Sequence, residues 1–429
     1  MLAVQPRADS YDRLLKRVDR ARAQTDKLFD IVRTDSLYDR PIPERHRIVF
    51  YIGHLEAFDS NLVRSAAPGL NASNLTASDS DLDRLFAFGI DPVDGGLPTD
   101  QPSDWPPLPQ VRQYAARTRA AVDAVLQEGG VSETLLHTAI EHRLMHAETL
   151  AYMLHQMPLE KKNPQAQPEV LELRPLQPEM LRIPAGPVTL GLSRKAPDFG
   201  WDNEYEAQTV EVNGFSIDRY KVTNSQYLAF VRAGGYHTRK LWTDADWDWK
   251  NARDISHPVF WKPTGRDWHL RAMFGEVPLP ASWPVYVSHA EAAAYARWIG
   301  KRLPTEAEWQ RAAQGVPPET TLGPEHGYFD FVRWDPFPVN AFPAASSAFE
   351  VDGLLANGWE WTSTVFAPFP GFQAFPFYEG YSANFFDGKH YVMKGGSTRT
   401  EKCMLRPTFR NWFQPHYQYV YAGFRCAGE

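Results

Sequence analysis

Cysteine is nearly absent from this chain: Cys403 and Cys426 are the whole complement in 429 residues. Two thiols cannot build a disulfide framework and are too few for a structural zinc site. Long apolar runs are missing too, and none approaches the length a membrane crossing needs. The stretch Met1–Arg20 is polar and carries both charge signs, so no secretory signal is expected. Nor is there an excess of positive charge. The net charge is −7, which removes the electrostatic basis for a nucleic-acid partner. These absences lead us to expect a soluble, reduced, cytoplasmic protein with neither nucleic acid nor membrane among its partners. What the chain has in abundance is rings and proline: 13% aromatics, 14 Trp among them, and 35 Pro. Its length allows two domains, each with its own core. A half rich in Trp and Pro suggests irregular backbone pinned by large rings.

The first half reads as helices. Residues 8–33 contain neither Gly nor Pro and carry an intermittent apolar stripe from Tyr11 to Val32. Pro41 and Pro43 precede a second helix over Arg45–Arg64, with His54 near its middle. A short apolar piece, Leu82–Phe88, a Pro/Gly-rich connection to Pro109 and a fourth helix over Val111–Gln127 follow. A fifth, Val131–Gln156, is again free of Gly and Pro. Helices with no strand pattern between them describe a bundle, in which ligand sites form between facing helices.

The fifth helix carries His142 and His146. Four residues apart, they stack on one face, which is how a helix offers two nitrogens to one metal ion. Arg143 stands where a zinc protease would carry its general-base glutamate. The pair could equally lie on a solvated face, and His54 could be a hydrogen-bonded core residue. In the metal reading His54 is the third ligand, with His137 and His155 as competitors. Glu56, Asp59, Glu141 and Glu148 are then candidates to orient the imidazoles or to supply a carboxylate ligand.

From Met157 to Pro178 the chain is Pro- and charge-rich and reads as a linker; the block boundaries are 1–157, 158–180 and 181–429. Beyond it come short strands (Val188–Leu190, Gln208–Val212, Phe215–Ile217) and single helices (Asn224–Arg232, His289–Gly300, Thr305–Ala313). Thr305 and Glu308 form a capping box at the start of the last helix. The rest reads as loop. Arg182-Ile183-Pro184-Ala185-Gly186 opens this half, and Asp218–Tyr227, Lys301–Trp309 and Asn357–Thr362 follow. Lys394–Ser397 and Gly423-Phe424-Arg425 close it. In this order they resemble the formylglycine-generating-enzyme/sulfatase-modifying domain, a C-type-lectin-like fold. Cys403 and Cys426 do not reproduce that enzyme's copper-binding cysteines, so a substrate-binding scaffold is expected. Gly53-His54 and His142-x-x-x-His146-x-Glu148 resemble a DinB-like bundle. The fold class is therefore α followed by α+β.

The two modules in this order resemble the ergothioneine-type sulfoxide synthases, with the selenoneine synthases as close relatives. The resemblance implies a three-histidine non-haem Fe(II) site of His54, His142 and His146, lying between the two domains. It also implies a reaction that uses O2 to join sulfur or selenium to C2 of the imidazole of N-α-trimethylhistidine (hercynine). Asn411 and Trp412 fall at the acceptor motif, and Tyr378 or Tyr381 at the proton donor. A quaternary ammonium offers no hydrogen bond and is held by ring faces, for which Trp359, Trp361, Phe409, Trp412 and Phe413 are candidates.

Three departures bear on the donor. Members that use γ-glutamylcysteine carry Gln where this chain has Met145, Asp where it has Phe413, and an arginine pair in the loop after the third helix. Here that loop, Phe88–Gly96, has no Arg but contains Asp91 and Asp94. A dianionic dipeptide would be poorly neutralised, so cysteine or a neutral selenosugar is expected. Two other readings stand beside this one: an O2-independent zinc thiol S-transferase on the same bundle, and a non-catalytic module that keeps its metal for structure.

Overall fold

The computed structural model describes residues 5–66, 80–87, 97–166, 169–174 and 176–429. The chain divides into two compact units, one of Met1–Gln165 with Pro376–Tyr378 and one of Ala166–Phe375 with Glu379–Glu429.

The first unit is built from α1 (Gln5–Ile31), α2 (Ile48–Ala66), α3 (Ser80–Phe86), α4 (Leu108–Glu128) and α5 (Glu133–His155). The long Gly/Pro-free runs became the long helices, and α1 packs on α5 while α2 packs on α4. Expected ends moved by a few residues where caps decided them. Ser132 caps α5 by accepting from the Leu135 N–H, and Gly129 closes α4 at φ +78°, a backbone region costly for any other residue. The inner faces are not purely apolar. Arg143 of α5 is 2% exposed and donates to Glu56 Oε1 at 3.0 Å and Asp59 Oδ2 at 2.7 Å on α2. Arg119 of α4 reaches both Asp26 on α1 and the same Glu56. Four helices are thus cross-linked by paired charges, which is how a bundle tolerates burying them.

The second unit holds β1 (Met180–Ile183), β2 (Gly186–Leu190), β3 (Gln208–Val212), β4 (Phe215–Asp218), α6 (Asn224–Arg232) and α7 (Asp244–Ala252). It continues with β5 (Trp261–Thr264), β6 (Asp267–Ala272), β7 (Gly275–Pro278), α8 (His289–Trp298), α9 (Glu306–Ala312) and β8 (Gly358–Val365). β9 (Tyr391–Gly396), β10 (Asn411–Phe413), β11 (Ala422–Gly423) and β12 (Ala427–Gly428) complete it. The central sheet runs β10-β9-β8-β11, flanked by β1-β4-β12, β5-β6-β7 and the hairpin β2-β3. Much of what reads as loop in the sequence is therefore ordered into α7, β5–β7 and the central sheet. Strands of two to eight residues, several of them rich in Gly and Trp, show too little alternation to stand out.

The recurring motifs turn out to be this unit's buried polar frame. Thr305 and Glu308 form the expected capping box on α9. Arg425 clasps Glu360 at 2.6 and 2.9 Å, and Lys221 joins it at 2.9 Å. Trp309 Nε1 donates to the same carboxylate, and Arg410 pairs with Glu306 at 2.8 Å. The chain expected to be a linker is tied down at both ends. Asn163 N–H bonds to the Ile31 carbonyl at the end of α1, while the Leu171 carbonyl accepts from Trp283 Nε1.

Candidate metal centre

α2 and α5 bring His54, His142 and His146 together, and all three are buried. Among the described residues they are the single group of three or more His, Cys, Asp or Glu placed to hold one ion, with ligand atoms within 4.8 Å of one another. An imidazole nitrogen binds a metal at about 2.0–2.1 Å, so two nitrogens meeting one ion near a right angle lie roughly 3 Å apart. His142 Nε2 and His146 Nε2 are 3.1 Å apart.

Why these rings converge can be read residue by residue. His54 Nδ1 lies 2.8 Å from the Phe86 carbonyl at the end of α3. A carbonyl only accepts, so Nδ1 carries the proton and Nε2 keeps its lone pair for the site. That approach requires Gly53: a Cβ there would stand 2.5 Å from the Phe86 ring. Phe50 and Phe58, one turn to either side of His54, complete the wall. Phe50 stacks on His54 at 4.7 Å and Phe58 on His142 at 3.4 Å between ring centroids. Burial drives the pKa of His54 down to about 4. His142 and His146 are also pushed well below the usual histidine range, first by burial and then by neighbouring charge. Three neutral imidazoles with available lone pairs are a ligand set that fits a divalent metal.

The carboxylates considered as ligands go elsewhere. Glu56 and Asp59 are engaged by Arg143, which leaves the histidine face and points into the charge network. Glu141 and Glu148 are buried on α5 but do not join the metal group, and neither do His137 and His155. Met145, just before His146, is half-buried.

The structure separates the two tyrosines. Pro376–Tyr378 clusters with the helices, where the Tyr378 ring meets Phe58 at 5.1 Å and His142 at 6.0 Å, both edge-on. Tyr381 belongs to the second unit, buried in a stack on Trp201 at 4.0 Å and edge-on to Trp412 at 5.3 Å.

On β10 the side chains alternate between sheet faces, which parts Trp412 from Asn411 and Phe413. Trp412 stacks on Phe366 at 4.2 Å, so one indole face is covered. Asn411 and Phe413 lie on the opposite sheet face, where Phe413 stacks on Tyr417 at 5.0 Å. Asn411 Oδ1 accepts from the Trp412 N–H at 2.9 Å. Trp359, Trp361 and Phe409 are buried packing residues, and Trp361 Nε1 is satisfied by the Val287 carbonyl. Residues 88–96, with Asp91 and Asp94, lie outside the described residues. Phe58 and the Gly53–Phe86 contact escaped sequence reasoning; the i±4 aromatics around His54 were the available signal.

A profile of the DinB superfamily matches residues 17–156, and one of the sulfatase-modifying factor enzyme 1-like domain matches residues 166–429. A protein named hercynine oxygenase from Mycobacterium tuberculosis is 34% identical over 352 residues, covering 75% of this chain and 78% of its own. Another of that name, from Mycolicibacterium thermoresistibile, is 38% identical over 263 residues and 57% of each chain. Ergothioneine biosynthesis protein 1 of Neurospora crassa is 26% identical over 92% of this chain, which spans 55% of that longer protein. With both modules matched and this degree of identity across them, the chain belongs to the ergothioneine-type sulfoxide synthase family, as an enzyme of the oxygenase class.

Proposed function

We propose that the protein is an Fe(II)- and O2-dependent oxygenase that forms a C–S or C–Se bond at imidazole C2 of N-α-trimethylhistidine, with a donor other than γ-glutamylcysteine. The observation that carries this reading is the buried group of three neutral histidines with the Tyr378 ring beside it. Iron(II) held by His54, His142 and His146 would supply O2 activation and open coordination positions for the substrates. The stoichiometry closes without an outside reductant. The C2–H and chalcogen–H bonds break, a carbon–chalcogen bond and a chalcogen–oxygen bond form, and the second oxygen atom leaves as water. The chain's own residues have distinct tasks. Phe50 and Phe58 exclude water from the imidazoles, and Tyr378 holds a phenolic proton beside His142. Trp412 offers one ring face to the trimethylammonium.

Met145 and Phe413 favour a donor with little charge. Neither can pair with the ammonium or carboxylates of a dipeptide, and a carboxylate left unpaired on desolvation is expensive. The stretch 88–96 carries Asp91 and Asp94 and no Arg, so its sequence offers no counter-charge to a dianionic donor. The deciding experiment is anaerobic Fe(II) reconstitution, then O2 with trimethylhistidine and competing cysteine, selenosugar and γ-glutamylcysteine, read by mass spectrometry. We expect an O2-dependent adduct from cysteine or the selenosugar, and γ-glutamylcysteine at least about 10-fold poorer. Efficient use of γ-glutamylcysteine would end the donor reading. Turnover with zinc and without O2 would replace the whole proposal with the S-transferase.

A further inference from the structure

Tyr378 is the third of six residues between Phe375 and Ser382. Those two flanking residues belong to the second unit, and one short segment there, Trp201-Asp202-Asn203, holds them both. The Asp202 carboxylate accepts from the Ser382 hydroxyl on one side and from the Phe375 N–H on the other. Asn203 Nδ2 donates to the same Ser382 hydroxyl at 3.0 Å. Trp201 stacks on Tyr381 at 4.0 Å. Asp202 and Asn203 are at most 1% exposed.

Burying a carboxylate is costly, and the neighbouring acid shows the usual remedy: Glu204 pairs with Arg406 at 2.6 Å. Among the described residues Asp202 has no such ion pair, and its Oδ2 is buried without a hydrogen-bond partner. Burial accordingly raises its pKa to about 6, while the Ser382 hydroxyl and the Asn203 and Phe375 amides pull the other way. A buried acceptor kept under that strain holds hydrogen bonds that an apolar core residue could not. Its hydrogen bonds go to the two feet of one loop.

We propose that Asp202 is a positioning residue for Tyr378: by tying both feet of the 375–382 loop it sets where the tyrosine ring stands against His142 and Phe58. This deepens the assignment of Tyr378 as proton source and rests on it. Two anchored ends leave a six-residue connection few conformations, so the ring is held in place before substrates arrive. Trp201 and Asn203 act with Asp202, the first through ring stacking and the second through Ser382.

The test uses the full chain, metal-loaded, with Asp202→Ala and Asp202→Asn. Hydrogen exchange is read in peptides spanning Phe375–Ser382 and, as a control, Glu133–His155, beside metal content and steady-state kinetics. In Asp202→Ala the loop amides should exchange at least about 10-fold faster, with the α5 peptide and metal content unchanged. kcat should fall about 10- to 100-fold while the KM for trimethylhistidine stays within a few-fold. Asp202→Asn, whose side-chain carbonyl accepts the same two bonds, should restore most of both. Unchanged loop exchange in Asp202→Ala, or a loss of kcat that Asn does not rescue, overturns the proposal. If Asp202→Ala does not fold, Ser382→Ala removes one tie and should give the same pattern in weaker form; no change in loop exchange there counts against the idea. A wild-type enzyme that fails to turn over trimethylhistidine with any donor, yet shows the exchange pattern, refutes the proposed reaction and leaves the loop tie standing.

Discussion

His54 owes its chemistry to neighbours at three different sequence distances. Gly53, next to it, lets Phe86 approach; Phe50, one turn away, stacks on the ring; and the Phe86 carbonyl, 32 residues on, selects the tautomer. Gly53 and Phe50 stand beside His54 in the sequence, but both contacts with Phe86 exist only once α2 and α3 have packed. The two tyrosines make the same point. They are three residues apart, both aromatic and both hydroxylated, and nothing in their local sequence ranks one above the other. Tyr378 beside His142 and Tyr381 beneath Trp201 have different consequences for substitution. Tyr378→Phe should lower kcat by about 10²-fold or more with metal content intact, the usual scale for losing a positioned proton donor. Tyr381→Phe keeps the ring stack and should change kcat by no more than a few-fold. Steady-state kinetics on the two variants decides between them, and equal losses would undo the assignment.

At the scale of elements, α5 shows how a helix separates two tasks by angle alone. His142 and His146 project on one face; Arg143, about 100° further round, projects into the charges of α2. The substitution of Arg for the general-base Glu of a zinc-protease helix thus changes more than one catalytic group. It adds a buried clamp between α5 and α2, the two helices that carry the three histidines. Arg143→Leu would leave Glu56 and Asp59 buried with one partner fewer. We expect a loss of about 3–5 kcal/mol in unfolding free energy, with metal affinity falling alongside, as seen by denaturant titration and metal analysis. Stability close to wild type would mean that Arg119 and Arg22 suffice to neutralise the pair. β10 makes a similar division with period two. Trp412 faces Phe366 and Tyr381, while Asn411 and Phe413 face the other way. Three consecutive residues of one strand therefore do not present their side chains to one side.

For the molecule as a whole, a metal that binds the folded helical unit and not its unfolded chain must stabilise that unit. At 100 times the dissociation constant the gain is about 2.7 kcal/mol, a rise of roughly 5–10 °C in the melting transition of a unit this size. Calorimetry with and without chelator should show that rise in the wild type and its loss in His54→Ala. A shift that survives in His54→Ala would remove His54 from the ligand set.

The sequence by itself determined the helices of the first unit, the paired histidines and the texture of the second, because these depend on spacing within a single element. The capping box at Thr305, the α6 limits and the Gly129 stop were legible for the same reason. The short strands around Gly358, Tyr391 and Asn411 were not, since pairing between distant segments makes them strands. Only the tertiary structure decided which tyrosine stands at the histidines, that Glu56 and Asp59 serve Arg143, and that Asp202 holds the ends of the Tyr378 loop. Each of these depends on contacts between residues 84 to more than 230 positions apart, and a local pattern carries no record of which distant groups will meet.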